Sequence, residues 1–503
     1  MSGIRDWGAG LGARRGSRPF FVIALVAATI FVIAVRFGSF IAGGSDSYCY
    51  LSEARLWAQG WPVVQEPLIT QTDGTLGRWT FVPLGYKPGL TTGTFVPICP
   101  IGYPVTMALF LRLFGPGAEM YVVPLAAAGL VFLTGWLGHR VGGEKTGILG
   151  SALLATSPIF VLQSVQPMSD IPAAFFWLWS TTLVMSSRTW TAAAVVPVVA
   201  LAVLTRPNLA PLGLPLAAFG SLANRSGVRR YNWRMAAGVV AGLACGAAIA
   251  AYTNTVLYGA PQSTGYGDPA SLYSLRFLWP NVQRYSVWLW QTESYLILLA
   301  TAGIARLALG DAFQRLWAGY AAAVIAIVLL SYLFYTPFGD WTYLRFLLPA
   351  LPLIFIAYTC VAKRPILVVG LSVALLAFHM HFNWTIGVLA THVGERRYID
   401  VSRYINEMLP ENAVFITQQH SGSIRYYTGR KTLRFDWLPP RELDNAVRQM
   451  TSLGYKPYIL LDDWEEPIFK TRFERSALAR LDWWPTAEFA TQIRVRIYDP
   501  AAR

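Results

Sequence analysis

Apolar residues along this chain gather into long windows separated by short polar stretches, each window close to the length a helix needs to cross a bilayer, about 17 to 25 residues. The first covers residues 20–35. Six follow near 120–138, 146–163, 171–186, 190–205, 208–223 and 236–256, and four more near 294–309, 317–335, 346–361 and 366–386. The pattern predicts a multi-pass α-helical membrane protein with about eleven transmembrane helices. Residues 20–35 follow a basic leader as a signal peptide would, yet no small-residue cleavage site comes after them and further windows do, so they read as a retained first helix. From about residue 393 the apolar windows stop. Helices are expected there at 398–408 and 441–453, and strands at 413–417, 457–461 and 494–498, an alternation that points to a small α/β sheet. The chain is therefore read as a membrane part, 1–390, followed by a soluble α/β domain, 391–503.

Charge gives this threading a direction. Only 14% of the residues are charged and 54% are hydrophobic, against about 25% charged in an average soluble domain. The 41 Lys and Arg against 27 Asp and Glu leave a net charge of +14, which would suit nucleic acid were it not for where the basic residues fall. Arg14, Arg15 and Arg18, then Arg225, Arg229, Arg230 and Arg234, then Lys363 and Arg364 sit in clusters between apolar windows, as in cytoplasmic loops. Lipid, and not nucleic acid, is the expected partner. The amino terminus is then cytoplasmic, and residues 41–119, residues 257–293 and the terminal domain face the other side of a bacterial inner membrane.

The first outer segment opens with SDSYCYLSEARLWAQG, in which Tyr48, Leu51, Leu56 and Trp57 would form one face of a helix lying along the membrane surface. Cys49 and Cys99 flank the same segment, where a bridge and two free thiols are both open. Cys245 and Cys360 fall in apolar windows and read as small core residues.

Four charged residues stand at the outer ends of apolar windows. Asp46 follows the first window and Asp170 precedes a proline-started one in QPMSDIPAAFF. Each has an ordinary reading as a helix cap. Both nonetheless fall on one membrane face at one depth, where two carboxylates suggest a site. Arg206 in LTRPN and Arg345 in DWTYLRFLLPALP break the positive-inside bias. Their ordinary reading is snorkelling to headgroups; the alternative is phosphate binding by planar, always-charged guanidinium groups. Lys87 in GYKPG and Arg276 are weaker candidates for the same task. His379, His381 and His392 do not have metal-ligand spacing, and no zinc motif, Walker loop or nucleophile elbow occurs. No cofactor is expected, and divalent-metal use stays open.

The order of these features, an early Asp, then FVPICPIGYPV, SDIPAAFF, LTRPN, LYGAPQSTGYG and YLRFLLPALP, resembles the GT-C fold membrane glycosyltransferases, the group of the protein O-mannosyltransferases and the lipid A aminoarabinose transferase. The resemblance spans roughly residues 20 to 385. It implies a sugar donor on a polyprenyl phosphate, transfer with inversion to an acceptor on the non-cytoplasmic face, Asp46 as the first-loop catalytic aspartate and Asp170 as a second acidic position. It also implies Arg345, with Arg206 and Lys87, as holders of the lipid phosphate. Two departures stand out: Ser47 follows Asp46 where many relatives place a second acid, and KPG replaces KPP at Lys87. A transporter or flippase of lipid-linked sugars would share the helices and interfacial arginines, but would be expected to show internal repeats and midplane charges. A membrane scaffold presenting the terminal domain is the third reading. The acceptor, whether glycolipid, envelope glycan or protein, is not legible.

Overall fold

The computed structural model describes residues 18–503 except 187, 189, 225, 226, 229 and 230. Arg14, Arg15, Arg225, Arg229 and Arg230 of the basic clusters lie outside the described residues. Among those described, five helices are long and apolar enough to cross a membrane: Arg18–Arg36, Ala118–Gly142, Trp233–Tyr258, Ala312–Leu333 and Pro365–Ile386. They become seven if each of two bent pairs counts as one span. Helices also occupy the other apolar windows, but Asp170–Val184 and Thr191–Thr205 have 15 residues each and Gly213–Leu222 and Leu299–Ala308 have 10. At about 1.5 Å per residue, even the longer of these covers only about 22 Å of a core about 30 Å thick.

The bends have local causes. Glu144–Thr156 and Pro158–Ser164 meet at 66°, and Trp341–Leu347 and Leu351–Thr359 at 83°. In each pair proline stands in the first turn of the second helix, where its missing N–H costs nothing but the preceding helix cannot run on. The first break is also clamped by polar groups. Ser157 Oγ donates to Glu293 Oε1 at 2.6 Å, His379 Nε2 lies 2.7 Å from Glu293 Oε2, and Thr156 Oγ1 is 3.1 Å from His379 Nδ1. Glu293 and His379 are both wholly buried, so neither has water to compensate for a lost partner.

Close helix packing fixes the ends of two helices that matter below. Gly238, Gly242 and Gly246 of Trp233–Tyr258 lie against Thr191–Thr205. A methyl group on Gly238 would come within 2.3 Å of the Ala192 carbonyl. Small residues at four-residue spacing let two apolar helices touch along their backbones, and the helices end near Arg206 and Tyr258, which line one cavity.

The segment after the first helix folds against the remainder of the chain. Helix Asp46–Gln59 forms as expected, but its apolar face does not lie along a membrane surface. Tyr48 and Leu51 are buried, and Tyr48 packs on Tyr86, Tyr426 and the backbone of Gly422. A hydrophobic face binds whichever apolar surface is nearest, and here that surface is protein. Strands Val64–Gln65, Thr94–Pro97 and Tyr86–Pro88 make a small antiparallel sheet in that order. A disulfide joins Cys49 to Cys99, tying the helix to the end of that sheet.

Residues 413–498 carry a five-stranded sheet in the order Lys431–Leu433, Ala413–Ile416, Lys456–Asp462, Arg494–Tyr498, Ala487–Ala490. Its first three strands are parallel and the last two antiparallel. One face packs on Val401 and Ile405 of helix Thr391–Met408. The other face shares its core with Leu68, Leu76 and Phe81 of the first loop. Glu66 of that loop is fully buried and takes ion pairs from Arg425 at 2.5 Å and Lys431 at 3.1 Å. Burial alone would raise the Glu66 pKa, but those two cations outweigh it and hold the carboxyl below its usual range.

Candidate active site

One cavity of about 710 Å³ opens where the first loop meets the helix ends. Three of the residues singled out from the sequence, Asp46, Arg206 and Arg345, line it. Asp46 is the first residue of helix Asp46–Gln59, at the end whose dipole favours an anion. Arg345 comes from the short 3-10 turn Trp341–Leu347, which begins the second bent span. Its Nη2 donates to Asp46 Oδ2 at 3.1 Å, and the Asp46 side chain is 37% exposed to the cavity while that of Arg345 is 15% exposed.

Asp170 is placed differently. It is 1% exposed, stands behind Arg206 and receives a hydrogen bond from Arg206 Nη2. Arg206 Nη1 also donates to the Tyr332 hydroxyl at 2.9 Å, and Asn208 Nδ2 donates to the same oxygen at 2.9 Å. The two guanidinium groups flank one aromatic ring, Arg206 at 5.2 Å and Arg345 at 5.4 Å from the centre of Phe346. Both ion pairs therefore converge on a single wall.

Lys87 does not line the cavity but touches residues that do. Its Nζ donates to the Thr264 carbonyl at 3.4 Å and lies 5.0 Å from the Tyr258 ring, and both Thr264 and Tyr258 line the cavity. Partial burial pulls its amine below the usual lysine range. Arg276 is not brought to the cavity; it is exposed and covers Phe277.

The remaining lining escaped sequence reasoning. Tyr50, Tyr266, Tyr273, Tyr332, Tyr335 and Tyr343 surround the charged wall, with Leu257 and Leu272 on the apolar side. Tyr266 sits in LYGAPQSTGYG and Tyr343 in YLRFLLPALP, so the motifs were visible although the ring was not. Gly265 presses so closely on the Ile98 backbone that a side-chain carbon would stand 2.1 Å from its carbonyl oxygen, so no larger residue fits beside Tyr266 without a shift. Tyr50 reaches the cavity from the Asp46 helix, its hydroxyl 2.8 Å from Ser169 Oγ.

Cys49, Glu53 and Cys99 are, among the described residues, the one cluster of potential ligands with metal-like spacing, but the disulfide occupies both sulfurs. Glu53 is fully buried, and burial pushes its carboxyl up to about 8, against the opposing pull of a 3.0 Å hydrogen bond from Trp57.

No protein-family model matches this chain, and no curated protein sequence matches it. Solved structures do. The chain is similar to ArnT from Cupriavidus metallidurans bound to undecaprenyl phosphate, at 13% identity over 96% of this chain and 98% of that one, with a TM-score of 0.57. It is also similar to the Archaeoglobus fulgidus oligosaccharyltransferase tethered with an acceptor peptide, at 11% identity over 94% and 73%, TM-score 0.56. The mycobacterial arabinofuranosyltransferase AftD matches at 15% identity over 89% of this chain and 35% of that one, TM-score 0.50. The shared architecture is the GT-C fold.

Proposed function

We propose that this chain is an integral-membrane glycosyltransferase that moves a sugar from a polyprenyl-phosphate donor to an acceptor on the non-cytoplasmic face, with inversion at the anomeric carbon. The observation that carries this reading is the Asp46–Arg345 pair on the cavity wall, in a chain whose fold is shared with a structure holding undecaprenyl phosphate. The bond between the anomeric carbon and the phosphate oxygen breaks, the acceptor oxygen bonds to that carbon from the opposite face, and the acceptor proton passes to a base. Polyprenyl phosphate is a good leaving group. The protein therefore has to supply that base and positive charge for the departing phosphate.

Asp46 is assigned as the base and Arg345 as the phosphate holder. Arg206 is already neutralised by Asp170, so it adds hydrogen-bond donors with little net charge, and Asp170 serves by aiming Arg206. Lys87 adds longer-range positive charge through the cavity wall. Because Arg345 pairs with Asp46, a phosphate that takes over the guanidinium also frees the carboxylate for the acceptor hydroxyl. Donor binding and activation of the base are thereby linked. The disulfide supports a first loop in an oxidising compartment; we read the terminal sheet on that same side and the amino terminus in the cytoplasm, as for an inner-membrane enzyme of about eleven spans with an extracytoplasmic α/β domain from about residue 391. The acceptor is unassigned, and no cofactor enters the scheme.

The test is transfer of radiolabelled sugar from a panel of polyprenyl-phosphate sugars, in membranes carrying wild type or Asp46→Asn at matched expression. Transfer by wild type that falls about 10²- to 10⁴-fold in the variant is expected of a lost base. No transfer from any donor by the wild-type protein, or equal transfer by both, would overturn the assignment.

A further inference from the structure

The turn that carries Asp46 is built from residues 42 to 45, and its partners come from the far end of the sequence. Gly44 has φ +56°, the left-handed region that favours glycine. Gly43 lies so close under the Tyr398 ring that a side-chain carbon would stand 2.4 Å from Tyr398 Cε2 and 2.6 Å from Glu395 Oε2. The Ala42 N–H donates to the Tyr427 hydroxyl at 2.8 Å. Two residues beyond Asp46, Tyr48 rests on the backbone of Gly422.

Tyr398 is itself held from behind by a buried polar cluster. Its hydroxyl accepts from Arg397 Nη2 and Gln419 Nε2, each at 2.7 Å. The Gln419 N–H and the Asp462 N–H donate to the two Glu465 oxygens at 2.9 Å each. Asp462 meets His420 Nε2 at 2.9 Å and Arg397 Nε at 3.6 Å, and accepts from Trp464 Nε1 at 3.2 Å. His420, Asp462 and Glu465 are fully buried, and none of them lines the cavity. So many polar groups removed from water are costly unless each is matched, and a sheet core needs none of them. Their common output is a fixed Tyr398 ring pressed on the Asp46 turn.

We infer that Tyr398 and Tyr427 are positioning residues for Asp46, and that the Arg397–Gln419–His420–Asp462–Glu465 cluster exists to lock Tyr398 against Gly43 and Gly44. The terminal sheet is on this account part of the catalytic apparatus, acting through the backbone of the turn and without contact to substrate. The catalytic half of the inference rests on the glycosyltransferase reading. The seating half does not.

Two measurements separate them. Hydrogen–deuterium exchange of residues 42–50 reads the seating with no reference to activity, with residues 351–359 as the internal control. Radiolabel transfer reads kcat and the donor KM. Tyr398→Ala should raise exchange in 42–50 and leave 351–359 unchanged. Because a misplacement near 1 Å can cost about 100-fold, kcat should fall by about 10- to 100-fold, with donor KM within about twofold of wild type since the Arg345 wall is untouched. Tyr398→Phe keeps the ring on Gly43 but frees it from Arg397 and Gln419, and should give exchange and kcat between those of wild type and Tyr398→Ala. Tyr427→Phe deletes one hydroxyl, is safe for folding, and should raise exchange around residue 42 with a smaller loss of kcat. Unchanged exchange in 42–50 in both Tyr398→Ala and Tyr427→Phe would overturn the seating. Raised exchange with unaltered kcat, or a loss confined to KM, would overturn the positioning role. Raised exchange in a protein whose wild type transfers nothing would support the seating and overturn the glycosyltransferase reading instead.

Discussion

Replacing Asp170 by asparagine keeps the shape of the side chain and removes its charge, and the structure sets the size of the effect. Asp170 is 1% exposed, Arg206 leans on its Oδ1, and its Oδ2 has no hydrogen-bond partner among the described residues. Breaking a buried ion pair from one side costs about 3 to 5 kcal/mol, because the other charge is left uncompensated. Arg206 keeps the Tyr332 hydroxyl and has 13% of its side chain exposed, which puts the expected loss at the low end, about 3 kcal/mol. Over 503 residues, with an unfolding entropy of about 2.1 cal/mol/K per residue, that is a drop in Tm of about 3 °C. Thermal unfolding of the purified protein in detergent, followed by tryptophan fluorescence, measures it. The double variant Asp170→Asn with Arg206→Met removes both charges and should regain at least half of the lost stability, since an apolar replacement of a buried pair is often neutral. Its transfer activity should stay low, because the phosphate donors of Arg206 are gone. A single variant as stable as wild type, or a double variant no better than the single, would refute the view that Asp170 serves chiefly to neutralise and aim Arg206.

Arg345→Lys keeps the charge but loses the planar fork, and losing a charge-assisted hydrogen bond worth about 1.5–3 kcal/mol should weaken undecaprenyl phosphate binding by about 10- to 100-fold in a competition assay. The Cys49–Cys99 bridge closes a loop across a sequence separation of 50, so the Cys49→Ser, Cys99→Ser double variant should lose about 4 kcal/mol in denaturant unfolding; an unchanged midpoint, or four labelled thiols in the unfolded, unreduced protein, would contradict the bridge. Burial raises the Glu465 carboxyl from its ordinary 4.5 to about 8, with two backbone N–H bonds pulling the other way. The folded state therefore holds a proton that the unfolded chain releases, and stability falls as pH rises from about 4.5 through about 8. Tm measured across that window should decline in wild type and decline less steeply in Glu465→Gln; equal slopes would remove Glu465 as a contributor.

The charged wall was legible in the sequence because membrane chains make charge conspicuous. Asp46, Arg206 and Arg345 each end or begin an apolar window, and a window boundary can be read from composition. The pairing of Asp170 with Arg206 was not legible, because it depends on how helix Thr191–Thr205 lies against its neighbours, a matter of side-chain packing with no period in the sequence. The tyrosines of the cavity were hidden for a related reason: Tyr332 and Tyr335 lie in SYLFYTPF, which reads like any aromatic belt. Glu293 went unnoticed although it is the buried partner of His379, since an acid at the end of an apolar run looks like a solvated loop residue. In the terminal region, strands of three and four residues such as Lys431–Leu433 and Ala487–Ala490 are too short for alternation to register. The cluster around Asp462 and Glu465 was missed because its members come from four separate stretches of the chain. The surface helix expected from Tyr48 and Leu51 shows the limit of amphipathic patterns, which report that a face is apolar but not what covers it.

The hydrogen bond from Ala42 to Tyr427 spans 385 residues, and this separation has a consequence for how the protein is made. At a synthesis rate of about 5–20 residues per second, the turn bearing Asp46 leaves the ribosome roughly 20 to 80 seconds before the hydroxyl that anchors it. Throughout that interval the helices can insert and the first loop can fold, but the contacts of Tyr398 and Tyr427 with the Asp46 turn are not yet made. On the proposed reading, competence would be the last property the chain acquires during biogenesis, and a truncated product lacking the terminal sheet is expected to be inert, its Leu68, Leu76 and Phe81 left without the core they share with that sheet.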